Sequence, residues 1–151
     1  MVSKPKPRVF LDSNVIFSGL YSSDGAPGII LEHFIEGRIR VVVSQQVLEE
    51  VIRAVKEKLP EALPSLRTLL LNTPPEVVAD PNLPDIERWT KKLHLGDAAI
   101  LAAVISSQPD YFITGDRHFF DDQEIAETAG LKIVTPAEFL ERWTKGDVTI
   151  P

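Results

Sequence analysis

Short apolar runs alternate with helical patterns along the chain, and this alternation constrains the fold more than any other feature of the sequence. In the first run, RVFLD, the apolar residues are consecutive rather than alternating, which indicates a strand buried on both faces. Similar runs recur at RIRVVVS, PEVVAD, DYFITGD and LKIVTP. The alternation predicts an α/β fold, a single-domain three-layer sandwich in which helices cover both faces of a mainly parallel central sheet.

Helix boundaries are marked by residues that suit the ends of helices. Ser44 is a good N-cap for a helix over 45–59, and Pro60 ends that helix. The segment GDAAILAAVISSQ is apolar nearly all round, which is typical of a central buried helix. Further helices are expected at 29–35, 63–72 and 136–143, and a loop at 80–85 is expected to lead into a polar amphipathic helix.

Composition restricts the chemistry that the chain can perform. The 151 residues include no cysteine, which excludes disulfides, iron–sulfur clusters and thiolate zinc sites. The three histidines lack the HExxH spacing of zinc enzymes. A net charge of −6 argues against a protein that coats nucleic acid by bulk positive charge. A metal-dependent enzyme acting on nucleic acid stays open, because bound cations locally invert the sign of an acidic site.

The sequence contains no segment typical of membrane targeting. No apolar stretch of signal-peptide length follows the N-terminal charges, and the most continuous apolar run, AAILAAVI, is too short to span a bilayer. We therefore expect a cytoplasmic protein without a membrane partner.

Carboxylates from distant parts of the chain are expected to meet at one edge of the sheet. Asp12 follows the first strand and Asp116 follows YFIT, and ligands of parallel sheets bind beyond the carboxyl ends of strands. The helix after the second strand starts at the same edge, with Glu49 and Glu50 roughly 8–9 Å along it. Asp97 opens the buried helix that leads into YFIT.

Each aspartate also fits a structural role when it is considered alone. Asp12 can cap a helix, Asp97 suits a first helical turn, and Asp116 fits a turn. Together these roles are less satisfactory, because adjacent carboxylates repel unless a cation neutralises them. A set of oxygen ligands without histidine or cysteine suits Mg²⁺ or Mn²⁺.

The adjacent glutamates differ in their expected neighbours. Glu49 has Arg53 four residues later as an ion-pair partner, whereas Glu50 has Ala54 at that position. This difference favours Glu50 as the free ligand, although hydrophobic periodicity does not decide between the two.

These acids and their neighbours resemble the motifs of the PIN domain, the RNase-H-like nuclease fold of VapC-type toxins and their relatives. The matching segments are VFLDSNVIFSG with Asp12, VLEEVI with Glu50, GDAAILAAVI with Asp97 and TGDRHF with Asp116. The resemblance covers residues 9–143, and it implies an N-terminal extension at 1–8 and a C-terminal tail at 144–151.

The resemblance implies a metal-dependent ribonuclease, expected to be an endonuclease, that uses Mg²⁺ or Mn²⁺ and leaves a 5′-phosphate and a 3′-hydroxyl. The implied partners are an RNA substrate, an antitoxin protein and a second copy of the chain in a homodimer. The implied catalytic and metal-binding residues are Asp12, Glu50, Asp97 and Asp116, with Asn14 and Thr114 orienting the acids through hydrogen bonds.

An acidic site on an acidic protein needs local basic residues to attract RNA. Arg117 and His118 directly follow Asp116, and Arg117 is the preferred phosphate contact, against the alternative of an ordinary surface charge. Arg117→Ala is expected to weaken RNA binding and to flatten its salt dependence. An unchanged salt slope would reject the role.

Two other functions remain open at the level of the sequence. One is a non-catalytic PIN-like module that binds RNA or a protein. The other is a haloacid-dehalogenase-like phosphatase, whose first strand ends in Asp and is followed two residues later by an acidic Asp. Here that position is Asn14, which cannot exchange a proton in the same way.

Overall fold

The computed structural model describes residues 6–127 and 131–144, in which all five strands are parallel. The predicted fold class is therefore confirmed. The N-terminal residues 1–5 and the predicted tail from 145 onward lie outside the described residues. The strands are β1 (Arg8–Leu11), β2 (Arg40–Ser44), β3 (Glu76–Val78), β4 (Tyr111–Ile113) and β5 (Ile133–Val134), in the order β3-β2-β1-β4-β5.

Helices cover the sheet, as the sequence predicts. They are α1 (Ser13–Tyr21), α2 (Ala26–Ile35), α3 (Gln45–Lys58), α4 (Leu63–Asn72), α5 (Leu83–Glu87), α6 (Leu95–Ser107), α7 (Gln123–Glu127) and α8 (Pro136–Thr144), with 3₁₀ turns at Pro60–Ala62 and Arg117–Phe119. Contacts join α1 to α2 and α3, α3 to α4, and α2 to α8, whereas α5 packs on α6. The strand order changes direction after β3. Because crossovers between parallel strands are almost always right-handed, this order implies that α6 covers the face opposite α1 and α3.

The core is centred on β1 and α6. Val9, Phe10 and Leu11 are fully buried, and the ring of Phe10 meets that of Phe112 edge to face at 5.6 Å. Residues 98–104 of α6 are all buried, which explains why that helix is apolar nearly all round. No helix in the described part of the chain is long and apolar enough to cross a membrane.

The segment 80–93 differs from its prediction. The expected loop contains the start of α5, because Asn82 Oδ1 accepts a hydrogen bond from Asp85 N at 3.2 Å and Pro84 suits the first turn. The amphipathic helix expected after this loop does not form. Helix α5 ends at Glu87, and the residues after it form turns that bury Trp89 and Leu93. Burial of these two apolar side chains against the core takes precedence over continued helical geometry.

The order of the strands creates a crevice at one edge of the sheet. From β1 the chain moves outward to β2 and β3, and it then returns to place β4 on the other side of β1. In open parallel sheets, ligands bind where the strand order reverses, beyond the carboxyl ends of the strands. The residues that follow β1 and β4 therefore occupy the position where a ligand site is expected.

Candidate active site

Asp12 lies at this reversal point and is almost completely buried, with 3% of its surface exposed. It caps α1, and its Oδ1 accepts a hydrogen bond from Ser13 N at 2.8 Å. Its Oδ2 accepts from the Thr114 hydroxyl at 2.7 Å and from Asn14 Nδ2 at 3.3 Å. Asp12 therefore has the capping role that the sequence allows and is also held by polar contacts from across the sheet.

Burial raises the pKa of Asp12 from 3.8 to about 6. The hydrogen bonds from Thr114 and Ser13 act in the opposite direction, while the negative charges of Glu50 and Asp116 add to the rise. The buried carboxylate is thus costly to ionise in the protein alone. A cation placed beside it would offset that cost.

The Thr114 hydroxyl joins Asp12 to Asp116. It donates to Asp12 Oδ2 and accepts a hydrogen bond from Asp116 N at 3.0 Å. Asn14 makes a second link between Asp12 and the loop after β4, because its Oδ1 accepts a hydrogen bond from Gly115 N at 3.2 Å. The two polar neighbours that the sequence singles out therefore both contact Asp12.

Asp97 and Asp116 approach each other at the mouth of the crevice. Each offers a carboxylate oxygen, and these oxygens and a ring nitrogen of His118 all lie within 4.8 Å of one another. His118 Nδ1 is 3.4 Å from Asp97 Oδ2 and 3.2 Å from Asp116 Oδ1. Asp116 also accepts from His118 N at 2.9 Å, so its predicted turn role is present as well.

Glu50 faces the crevice from α3, while Glu49 faces solvent. Glu50 Oε2 accepts from the Ser13 hydroxyl at 3.4 Å, and its Oε1 accepts from Gln46 Nε2 at 3.2 Å. Glu49 accepts from Gln45 Nε2 at 3.3 Å. No ion pair between Glu49 and Arg53 occurs among the described residues, so the predicted pairing is wrong although the two glutamates do differ in orientation.

Polar contacts, together with the covalent link from Gly96 to Asp97, connect all four acids in a closed ring, which we call the carboxylate ring. Gln46 completes it, because its Nε2 also donates to the carbonyl oxygen of Gly96, the residue before Asp97, at 3.0 Å. The members of the carboxylate ring, in order, are Asp12, Thr114, Asp116, His118, Asp97, Gln46, Glu50 and Ser13.

The donor set fits a hard divalent cation. Carboxylate oxygens supply most of the ligand atoms, and Mg²⁺ and Mn²⁺ prefer oxygen ligands. The buried charge of Asp12 and the proximity of Asp97 to Asp116 both favour a positive ion at this position. Asp12 and Glu50 lie outside the closest group of ligand atoms and join it through Thr114 and Gln46.

Two members of the carboxylate ring, Gln46 and Ser13, were not identified from the sequence, and His118 was identified only as a basic neighbour of Asp116 and not as a contact of the acids. The sequence feature that points to His118 as a contact is its position two residues after Asp116. For Ser13 it is the position next to Asp12. Gln46 lies four residues before Glu50, the spacing that joins side chains on a helix. Arg117, the predicted phosphate contact, is exposed beside Asp116.

Comparisons with known proteins agree with the fold. A family model described as the PIN domain matches residues 8–118. The fold is similar to the crystal structure of PAE2754 from Pyrobaculum aerophilum, at 20% identity and a TM-score of 0.64, over 92% of this chain and 90% of that one. A search of curated protein sequences finds no match.

Two further crystal structures show a similar fold. One is VapBC2 from Rickettsia felis bound to a DNA fragment from its promoter, at 14% identity and a TM-score of 0.62, over 85% of this chain and 98% of that one. The other is VapC20 from Mycobacterium tuberculosis, a sarcin–ricin-loop-cleaving toxin, at 14% identity and a TM-score of 0.51, over 80% of this chain and 95% of that one.

Proposed function

This chain belongs to the PIN-domain family, and from that premise we propose that it is a metal-dependent ribonuclease, an endonuclease that hydrolyses RNA phosphodiesters with Mg²⁺ or Mn²⁺. The observation that carries the proposal is the carboxylate ring at the strand-order reversal, with a buried Asp12 at its base. A carboxylate cluster of this kind suits a divalent cation, and phosphodiester hydrolysis is a reaction that such sites perform well.

The four acids have different roles in the proposed reaction. Asp12, Asp97 and Asp116 would hold the cation, and Glu50 would bind it or position the attacking water. A bound divalent cation supplies a water of lowered pKa and neutralises phosphate charge. The reaction is in-line attack by water on phosphorus, giving a 5′-phosphate and a 3′-hydroxyl without a covalent enzyme intermediate.

Side chains around the acids keep the carboxylates oriented for this role. Thr114 and Asn14 both donate to Asp12 Oδ2, so that oxygen is held in place. Ser13 and Gln46 each donate to a different oxygen of Glu50. Such contacts fix ligand orientation, and their loss in metal sites costs roughly 10–100-fold in metal affinity or activity.

The structural relatives support a further proposal about partners. Because one is a VapBC complex on promoter DNA and another is an RNA-cleaving toxin, we propose that this chain is the toxin of a toxin–antitoxin pair. It would bind an antitoxin protein and form a homodimer.

The first experiment is cleavage of a fluorescent RNA of mixed sequence by the wild type and by Asp12→Asn, with Mn²⁺ and with EDTA. We expect cleavage that requires both Mn²⁺ and Asp12, because Asp12 is the buried acid of the site. Glu50→Gln and Glu49→Gln form a matched pair on one helix, and only the first should reduce cleavage.

Two outcomes would reject the nuclease. Equal cleavage by wild type and Asp12→Asn would indicate a contaminating nuclease and favour a non-catalytic binding module. Turnover of para-nitrophenyl phosphate would favour the phosphatase. The contacts of Asn14 with Asp12 and Gly115 argue against that second function, because both ends of its amide are engaged in holding the site.

A further inference from the structure

A cavity of about 360 Å³ lies beside the carboxylate ring. It is lined by Thr90, Lys91, Lys92, Leu93, His94 and His118. His118 belongs to both places, because it lines the cavity and its Nδ1 contacts Asp97 and Asp116. The cavity therefore opens directly next to the acids that would hold the cation, and its volume falls within the range of about 300–1,000 Å³ seen for ligand sites.

The lining contrasts in charge with the rest of the protein. The chain carries a net charge of −6, yet no acidic side chain among the described residues lines this cavity. Lys92 is already neutralised, because its Nζ lies 2.8 Å from Asp122 and 3.1 Å from Glu124. Lys91 is exposed and has no carboxylate partner in residues 6–127 and 131–144. It therefore supplies an uncompensated positive charge at the cavity.

Two imidazole rings form the side of the cavity nearest the acids. The rings of His94 and His118 meet edge to face, with centroids 6.3 Å apart. Because His118 Nδ1 contacts the carboxylates, Nε2 is the ring nitrogen that remains available for another contact. Imidazole rings can also stack on nucleobases, as aromatic side chains do in proteins that bind single-stranded RNA.

We propose that this cavity binds a backbone phosphate of the RNA strand adjacent to the bond being cut, with Lys91 as the charged contact and the two histidines as its wall. The proposal rests on the nuclease function proposed above, since a strand lying across the carboxylate ring continues past His118 into the cavity. A phosphate next to four acids needs a compensating charge, and Lys91 is placed to provide it.

The test measures binding of a short fluorescein-labelled single-stranded RNA by fluorescence anisotropy, in EDTA and over a series of salt concentrations. Lys91→Ala should raise Kd roughly three- to tenfold and reduce the slope of log K against log salt by about 0.7, the loss of one phosphate contact. Lys91→Arg should restore both values.

Lys58→Ala is the matched control. Lys58 is also an exposed lysine, and it ends α3, roughly 20 Å from the end of that helix that faces the crevice. Its removal changes net charge by the same amount and should leave both Kd and slope unchanged. Equal effects of the two substitutions would overturn the proposal, because bulk charge would then explain the binding.

A second readout separates this proposal from the nuclease itself. In the Mn²⁺ cleavage assay, Lys91→Ala should raise KM with little change in kcat, since Lys91 contacts none of the acids. Unchanged binding and unchanged KM, with active wild type, would overturn the phosphate site and leave the nuclease. Lys91-dependent RNA binding without cleavage would reject the nuclease and leave the phosphate site.

Discussion

Asp12 uses both of its carboxylate oxygens inside the protein. Three hydrogen bonds reach it, from Ser13, Asn14 and Thr114, whereas an ionised carboxylate has about four acceptor positions. About one position is therefore left for another ligand. The acid is held in place by its neighbours and keeps one lone-pair direction available, which is the property that a cation ligand needs.

The raised pKa of Asp12 predicts how stability changes with pH in the absence of metal. The native state keeps this proton up to a pH of about 6, while the unfolded chain releases it near 3.8. Between these values the native state binds more protons, so the unfolding free energy falls as pH rises, in total on the order of 3 kcal/mol. Urea unfolding in EDTA from pH 4 to pH 7 measures this fall.

Asp12→Asn should remove that component of the pH dependence, because Asn does not titrate. Asp24→Asn, which changes an exposed acid, is the control and should retain it. If both variants kept the wild-type slope, the buried carboxyl group of Asp12 would not be its source.

Thr114 is predicted to affect metal binding by holding Asp12 and Asp116 in position. Thr114→Val removes a fully buried hydroxyl, which leaves Asp12 Oδ2 with only the longer hydrogen bond from Asn14 and leaves Asp116 N without the acceptor it has in the wild type. We expect roughly 10–100-fold weaker Mn²⁺ binding and about 1–3 kcal/mol lower stability. Isothermal titration and urea unfolding measure the two effects.

Thr114→Ser keeps the hydroxyl and should recover most of the metal affinity. Equal loss of affinity in Thr114→Ser would contradict the prediction, because that variant keeps the hydroxyl that makes the hydrogen bonds.

At the scale of elements, α1 and α2 pack closely through glycines. A Cβ atom on Gly28 would lie 2.5 Å from the carbonyl oxygen of Ser22 and 2.6 Å from Ser23 Cα. Both are backbone atoms of the connection between the helices, so they cannot move away as a side chain could. The close approach of α2 to the connection that follows α1 therefore depends on the absence of a side chain at Gly28.

Gly28→Ala is predicted to destabilise the protein. Alanine would favour the helix by about 1 kcal/mol, but overlap with the backbone costs more, and we expect a net loss of roughly 1–3 kcal/mol in urea unfolding. Gly25→Ala is the comparison, because its Cβ would meet only Pro27 Cδ at 3.7 Å. Equal effects would mean that the close approach at Gly28 is not the cause.

The elements also show what could be predicted from the sequence. Residues 63–72 form α4 as predicted, and the Ser44 hydroxyl accepts from Val47 N at 3.2 Å as the N-cap of α3. Both are set by local residue preferences, which are readable from the sequence. The turns after Glu87 could not be predicted in this way, because the burial of Trp89 depends on packing against α6 and its neighbours.

The same distinction applies to the candidate site: some of its features follow from the sequence pattern, and others depend on tertiary packing. The strand ends predict that Asp12 and Asp116 share an edge, because that follows from parallel topology alone. The contact of His118 with Asp97 and the hydrogen bond from Gln46 to Gly96 depend on distances between elements. No local pattern encodes those distances, so the ring that joins the acids emerged only from the structure.

For the molecule as a whole, metal binding and folding should be linked. If Mn²⁺ binds only the folded protein, stability rises with its concentration, by about 2.7 kcal/mol at 100 times Kd. We expect the melting temperature of the wild type to rise on addition of Mn²⁺ and to return on addition of EDTA.

Asp97→Asn should greatly reduce this shift, because it removes a ligand oxygen from the group with Asp116 and His118. Asp24→Asn should leave the shift unchanged, since Asp24 is an exposed acid outside that group. A shift of equal size in both variants would indicate nonspecific screening of negative charge.

The pairing of β4 with β1 also has a consequence during protein synthesis. Asp12 and its partner Thr114 are 102 positions apart, and β1, which pairs with β2 on one side, acquires its neighbour on the other side only after β4 has been made. A growing chain therefore carries Asp12 and Glu50 through much of translation without Asp116 or the hydroxyl that joins the acids. A ribosome that stalls before β4 releases a fragment with an incomplete site, so the messenger encoding the proposed nuclease is not exposed to an active product until β4 and Asp116 have been made.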